Sequence, residues 1–378
     1  MGIDQADPVR RQAGGRTSTL PAAVPVAVVG AGQSGLAVGY HLRQAGVECV
    51  LLDAGSEVGE TWERRWDSLT LFTSAQFSGL PGLPFPGDGR HYPGKDEVAA
   101  YLRDYAERFD LPVLPDHRVL SVRRDGDGFL LRTTRGECRA GQVVIATGAF
   151  GIPRLPEFAA ALSPDVATLH TSEYRSPAGL APGTVVVVGD GNSGRQIAAE
   201  LSATHDVVLS CGEAVSPPLP QTVVGRDMFW WMSVLGVMRL PVSMQAPDPV
   251  VGDRVPELVA AGAIRTAGRV VAAEGAELLV ADGERLKPST VIWATGFRTD
   301  WSWLDPEMLD DDGQPRHTEG AGAVPGSHYL GLYRMRTRGS ALIGFVGHDA
   351  EHVATALVAT ARSRATRTTP PTTEGQAS

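Results

Sequence analysis

Cysteine is scarce: the 378 residues hold three, Cys49, Cys138 and Cys211, far apart in the chain. No C-x-x-C occurs, which excludes a redox-active dithiol of that spacing and a cysteine zinc site built on it. Cys49 and Cys211 fall in or just after predicted strands and read as packing residues. Positive charge is also short. A net charge of −9 lacks the basic surface that nucleic-acid phosphates require, so nucleic acid is not the expected partner. Long hydrophobic runs are missing too. The N-terminus has no apolar core of a signal peptide, and no run approaches the roughly 18 residues of a membrane helix. The expectation is a soluble, cytoplasmic protein. Hydrophobic content of 43% is ample for real cores, and the length predicts about two to three domains.

What is present is a patterned glycine turn. Val26–Val29 is an apolar run suited to a strand buried on both faces. Gly30, Gly32 and Gly35 then complete G-x-G-x-x-G, with Ala31, Gln33 and Ser34 between them. The first glycine permits the tight turn, the second lets backbone approach a pyrophosphate, and the third lets helix pack on strand. Gly46 ends the helix, Val47–Leu52 forms the next strand, and Asp53 sits at its tip, 23 residues after Gly30. A carboxylate there accepts hydrogen bonds from ribose hydroxyls and repels a 2′-phosphate. Strand, glycines, helix, strand and acid together make a dinucleotide fingerprint.

The fingerprint recurs. Thr184–Val188 is an apolar strand, followed by Gly189, Gly191, Asn192, Ser193 and Gly194 in the same spacing, then a helix from Arg195 to Leu201 and a strand Asp206–Ser210. The position 21 residues after Gly189 is Ser210, not an acid. This second turn therefore suits NADPH, with Arg195 and the more distant Arg226 as cationic partners for its 2′-phosphate.

Between and around these turns the chain reads as follows. Ala54 to Gly87 is a long ordered loop, and Lys95–Phe109 has a helical period. Arg118–Val122, Phe129–Thr134 and Gln142–Ala146 are candidate strands. Val143–Gly148 and Val291–Gly296 both end in Ala-Thr-Gly, placing Thr147, Gly148, Thr295 and Gly296 at matching strand ends. Met228–Met244 is apolar but too short to span a bilayer; a core helix or lid is expected. Ser340–Gly347 reads as a strand and 351–361 as a closing helix. Residues 1–21 and 363–378 read as disordered tails. The fold class is α/β, with two Rossmann-like dinucleotide-binding domains. Residues 22–150 and 296–362 form a discontinuous first domain, and 151–295 an inserted second one.

These motifs in order resemble the flavin-containing monooxygenase family, in its short bacterial and YUCCA-like branch, over about Pro25 to Arg362. They are GAGQSG (30–35), GETW (59–62), RWDSLTLFTSAQFSGLPGLPFP (65–86), IATG (145–148), LHTSEY (169–174), GDGNSG (189–194), WATGF (293–297) and VGHDA (346–350). The resemblance implies a glutathione-reductase-like fold, FAD on the first turn and NADPH on the second. It implies that Trp62 lines the flavin, that Val119 and Ala54 flank the FAD, and that Asp349 and Ala350 lie near its ribityl chain and pyrimidine end. His170 and Tyr174 match half of the family's identifying motif, at the domain linker; Val166 stands where that motif has glycine. Where many members carry an Asn, this chain has Leu71-Phe72-Thr73-Ser74, so Thr73 or Ser74 is the expected hydrogen-bonding residue near the flavin. The implied reaction is oxygenation of a small organic substrate by molecular oxygen through a flavin hydroperoxide, at nitrogen or sulfur or on a 2-oxo acid. A Baeyer–Villiger oxygenase is the nearest rival, disfavoured by Tyr174-Arg175 where that family has Trp. A flavin-binding sensor that does not turn over is the rival of another class. A homodimer is left open.

Overall fold

The computed structural model describes residues 19–212, 219–240 and 250–368. Both tails beyond these, and the end of the apolar stretch from residue 241, lie outside the described residues.

Two separate sheets carry the chain, the larger one mixed around a parallel centre and the smaller one parallel throughout. In the larger, the valine-rich strand Ala23–Val29 lies between Cys49–Leu52 and Gly136–Ile145, both parallel to it. Val113–Leu114 adds on beyond Cys49–Leu52, and Ser327–Tyr329 beyond Gly136–Ile145. The chain thus returns to this sheet near its end. Val26, Ala27 and Val28 are fully buried, as an apolar run in a two-faced parallel strand should be. The hairpin Val119–Asp125 with Gly128–Thr133 turns at the expected Asp-Gly pairs. It leads into the Gly136–Ile145 strand, which starts earlier than its apolar core alone indicates.

The second sheet runs Ile264–Ala267, Asp206–Ser210, Thr184–Val188, Thr290–Trp293, Ala167–His170, all parallel. Its core is separate from that of the first. The two passages between the sheets meet as a short antiparallel pair, Ile152–Pro153 with Phe297–Arg298. The architecture is two Rossmann-like units, the second inserted in the first.

Helices follow the glycine turns at Gln33–Gln44 and Asn192–Leu201, and the periodic segment forms Lys95–Arg108. The closing helix spans Val346–Thr368, longer at both ends than the 351–361 expected, so residues 363–368 are helical and not tail. It packs on the helix Gln33–Gln44. Ser340–Gly347 is not a strand. Residues 340–345 are a run of tight turns leading into the closing helix, with the Phe345 and Val346 amides both donating to the Leu342 carbonyl. Gly344 fits so closely that a Cβ there would lie 1.8 Å from the Phe77 carbonyl oxygen. Apolarity marked this segment as buried, and Ile343 and Val346 are in the core; its glycines let it coil. Of the Met228–Met244 stretch, Met228–Val234 is a helix and Val237–Arg239 a short 3-10 turn. Phe229 stacks between Phe72 and Phe345, so this helix covers the loop after Leu71.

Candidate dinucleotide sites

The two glycine turns have nearly the same geometry. Gly30 and Gly189 take φ of 103° and 110°, a region open to glycine. A Cβ on Gly30 would lie 2.6 Å from the Ala146 oxygen, and one on Gly189 2.5 Å from the Ala294 oxygen. Each Ala-Thr-Gly strand end thus closes on its own turn. At Gly35 and Gly194 a Cβ would lie 1.9 Å from the carbonyl oxygen of the first glycine. Around Gly32 and Gly191 nothing lies within 4 Å of that position. Each middle glycine faces open space at a helix N-terminus, where backbone N–H groups favour an anion. Both turns fit a dinucleotide pyrophosphate on this test.

A cleft of about 1030 Å³ opens beside the first turn. It brings together Gly30, Asp53, Ala54, Val119, Thr147 and Gly148 from the expected set. Asp53 Oδ2 accepts from the Ala31 amide at 2.6 Å and Oδ1 from the Gly55 amide at 2.8 Å. A carboxylate offers about four acceptor positions, which leaves room for ribose hydroxyls. Gln33, Ser34, Trp62, Asp349 and Ala350 do not line the cleft. Gln33 donates to the Ala341 carbonyl at 2.9 Å, and Ser34 is buried against Gly331. Trp62 is half-buried against the core of the first sheet. Asp349 is 1% exposed, within the first turn of the closing helix; Ala350 beside it is fully buried. Arg336 approaches Asp349 Oδ1 at 3.4 Å, while Oδ2 has no partner among the described residues. A buried acceptor without a donor is costly, and a ligand hydroxyl would satisfy it.

Thr73 and Ser74 are buried in the loop under the Met228–Val234 helix. The Thr73 hydroxyl bonds the Ser78 hydroxyl at 2.9 Å, and Ser74 Oγ accepts from Gln76 at 3.4 Å. Both therefore have protein partners. Beside them a second hollow of about 450 Å³ is lined by Phe77, Leu80, Leu83, Phe85 and Phe345.

At the second turn, the ladder corrects one reading. Val29 pairs with Leu52, and Val188 with Ser210. The Gly30 amide donates to the Leu52 carbonyl and the Gly189 amide to the Ser210 carbonyl. The counterpart of Asp53 is therefore Cys211, not Ser210. Ser210 points away: its hydroxyl donates to the Gly268 carbonyl at 2.9 Å and accepts from the Val270 amide. Cys211 is also no acid; burial first, and the Asp190 carboxylate next, push its thiol up to about 11. Arg195, expected to wait for a phosphate, is held instead. It pairs with Asp253 and Asp190, and its Nε donates to the Asp190 carbonyl at 2.8 Å. Arg226 is exposed, with its guanidinium over the Trp230 ring at 4.8 Å. The Thr295 hydroxyl donates to the Arg154 carbonyl.

His170 and Tyr174 tie the linker down. His170 Nε2 lies 3.0 Å from the Gly296 carbonyl, its ring edge-on to Phe297, and burial lowers its pKa. The Tyr174 hydroxyl donates to Glu200 at 2.8 Å, and burial raises its pKa.

Sequence reasoning missed Arg65. Its guanidinium lies 4.6 Å from the Phe150 ring centre and 5.4 Å from that of Phe297, the aromatics that follow the two Ala-Thr-Gly turns. It lines the cleft and makes no ion pair among the described residues. Burial, then the neighbouring Arg175, lower its pKa. The repeat of Phe after both turns was the available signal; the arginine between them was not. No helix among the described residues is long and apolar enough to cross a membrane.

Comparison with known proteins gives three kinds of match. The family model for pyridine nucleotide-disulphide oxidoreductases matches residues 27–215. An uncharacterized CzcO-like oxidoreductase of Geobacillus kaustophilus is 41% identical over 87% of this chain and 97% of its own. A probable indole-3-pyruvate monooxygenase, YUCCA9 of Arabidopsis thaliana, is 29% identical over 76% of this chain and 79% of its own. Among solved structures, a flavin-containing monooxygenase from Stenotrophomonas maltophilia superposes with a TM-score of 0.77. It is 31% identical and covers 89% of this chain and 99% of its own.

Proposed function

The chain belongs to the flavin-containing monooxygenases, within the pyridine nucleotide-disulphide oxidoreductases, an enzyme family that uses FAD and NADPH, and from that premise we propose how its two turns divide the work. Residues 22–150 with 296–362 form the FAD-binding domain, and 151–295 the NADPH-binding domain. The observation that carries the assignment is the cleft at the first turn, where Asp53 stands at the strand tip among Gly30, Thr147 and Gly148.

Asp53 would accept from the adenosine ribose, and the backbone amides at the helix N-terminus by Gly32 would hold the pyrophosphate. Asp349 Oδ2, buried and without a donor among the described residues, would accept from a hydroxyl of the bound FAD. Bound there, FAD reduced by NADPH supplies the activation of oxygen; the protein supplies position and dryness. The Met228–Val234 helix, through Phe229 on Phe72 and Phe345, keeps water from the loop that carries Thr73 and Ser74. The substrate is a small organic molecule, oxygenated at nitrogen or sulfur or, as in the YUCCA-named relative, a 2-oxo acid. The aromatic and aliphatic lining of the 450 Å³ hollow favours a largely apolar one. With no Asn in the 71–74 stretch and both hydroxyls partnered, turnover without substrate should release hydrogen peroxide.

The test is NADPH consumption and product analysis over a panel of amines, thioethers, ketones and 2-oxo acids, with catalase to score peroxide. An oxygenated product from one class supports the reading. NADPH oxidation that never yields an oxygenated product would reduce the protein to an oxidase or a sensor.

A further inference from the structure

The second fingerprint carries its own acid, from an unexpected side. By the register above, Asp53, Ala54 and Ala31 of the first unit correspond to Cys211, Gly212 and Asp190 of the second. In the first unit a carboxylate on the strand tip reaches the turn: Asp53 Oδ2 accepts from the Ala31 amide. In the second the direction is reversed. Asp190, in the turn, accepts at Oδ1 from the Gly212 amide at 3.3 Å, at the strand tip. In both units one carboxylate ties the turn to the strand tip, though in the second it reaches Gly212, the counterpart of Ala54, one residue beyond that of Asp53.

We propose that Asp190 takes the ribose 2′-hydroxyl of the coenzyme, and that this site therefore accepts NADH about as readily as NADPH. The inference rests on reading Gly189–Gly194 as the nicotinamide-coenzyme turn. A carboxylate at that mouth favours a diol and repels a 2′-phosphate. Arg195 does not offset it. Its side chain is 12% exposed and lies between Asp190 and Asp253, so one guanidinium faces two carboxylates and the cluster stays net negative. To turn Arg195 onto a phosphate would strand Asp253, whose side chain is 1% exposed and whose other oxygen already accepts from the Val255 amide. Breaking a buried pair from one side is strongly unfavourable. The residue in Asp53's place, Cys211, brings no carboxylate of its own; its thiol leans on Asp190.

The test is calorimetric titration of the full-length, FAD-loaded protein with NAD⁺ and NADP⁺, and with 5′-ADP and 2′,5′-ADP as fragments that lack the nicotinamide. The wild type should bind NAD⁺ and NADP⁺ within about tenfold of each other. Asp190→Asn should move the ratio toward NADP⁺ by about tenfold or more, because the charge that repels the 2′-phosphate is lost while Arg195 stays on Asp253. Asp190→Ser is the second variant, and retained flavin shows that either is folded. A wild type that prefers NADP⁺ by more than about 100-fold, or two folded variants with an unchanged ratio, would overturn the proposal. Failure of all four nucleotides to bind would instead overturn the reading of the turn, and the proposal with it.

Discussion

The Gly30–Gly35 and Gly189–Gly194 turns match in φ, in the closing strand end and in the open middle glycine. They differ in where the acid comes from and in what it holds. Among the described residues, the Asp53 carboxylate is bound only to backbone amides, and it faces a cleft. Asp190 is also tied to Arg195, which is tied to Asp253. Backbone geometry makes a turn fit for a dinucleotide; side chains at its mouth decide which one.

The largest expected effects come from breaking one turn at a time. Gly35→Val and Gly194→Val each press a side chain on a carbonyl 1.9 Å from the Cβ position. Such overpacking costs about 1–3 kcal/mol, and more against backbone. The first should yield protein without flavin. The second should keep its flavin, as judged by visible absorbance, but lose anaerobic reduction by NADPH. Loss of flavin from both would mean that the units are not separate sites.

Gly32→Val and Gly191→Val sharpen the contrast, because the space there is open. Thermal melting of the cofactor-free protein should stay near wild type. Flavin content should fall for the first only, and coenzyme affinity for the second only.

His328 separates the sheets by pH. It lies in the Ser327–Tyr329 strand, and burial, followed by the charge of His352, holds its pKa down to about 4. The unfolded chain takes up that proton near 6.5. The stability that neutral His328 confers is therefore full above pH 6.5 and drains as pH falls toward 4, by about 3 kcal/mol. Denaturant titrations across that window should show the decline, and His328→Leu should flatten it.

The smallest effect belongs to Ser210→Ala. It removes two hydrogen bonds to the 268–270 segment, about 0.5–1.5 kcal/mol each. Coenzyme preference should not change, because the hydroxyl faces away from the turn. A changed preference would restore Ser210 to the role first expected of it.

Much of this architecture is legible in the sequence. Glycine spacing after a valine run fixes strand, turn and helix together, and the paired Ala-Thr-Gly ends mark where each unit closes. What escapes is whatever depends on partners distant in the chain. Counting from Gly189 misplaces the counterpart of Asp53 by one residue, since only ladder pairing sets the register. Arg195 looks free because Asp253 stands 58 residues away. Asp349 is recognisable by resemblance, but its unpartnered oxygen is a fact of packing. Ser340–Gly347 reads as a strand because apolarity reports burial, while its coiling depends on a backbone approach to Phe77.

The central claim is that two turns built alike hold two different dinucleotides at once. The most direct measurement is a binding stoichiometry on one preparation. Flavin is released by denaturation and identified, and NADP⁺ is titrated into the undenatured remainder. The expected result is one FAD per chain that survives dialysis, and one further site filled by NADP⁺ without displacing it. Release of FMN, or NADP⁺ that expels the FAD, would contradict the account.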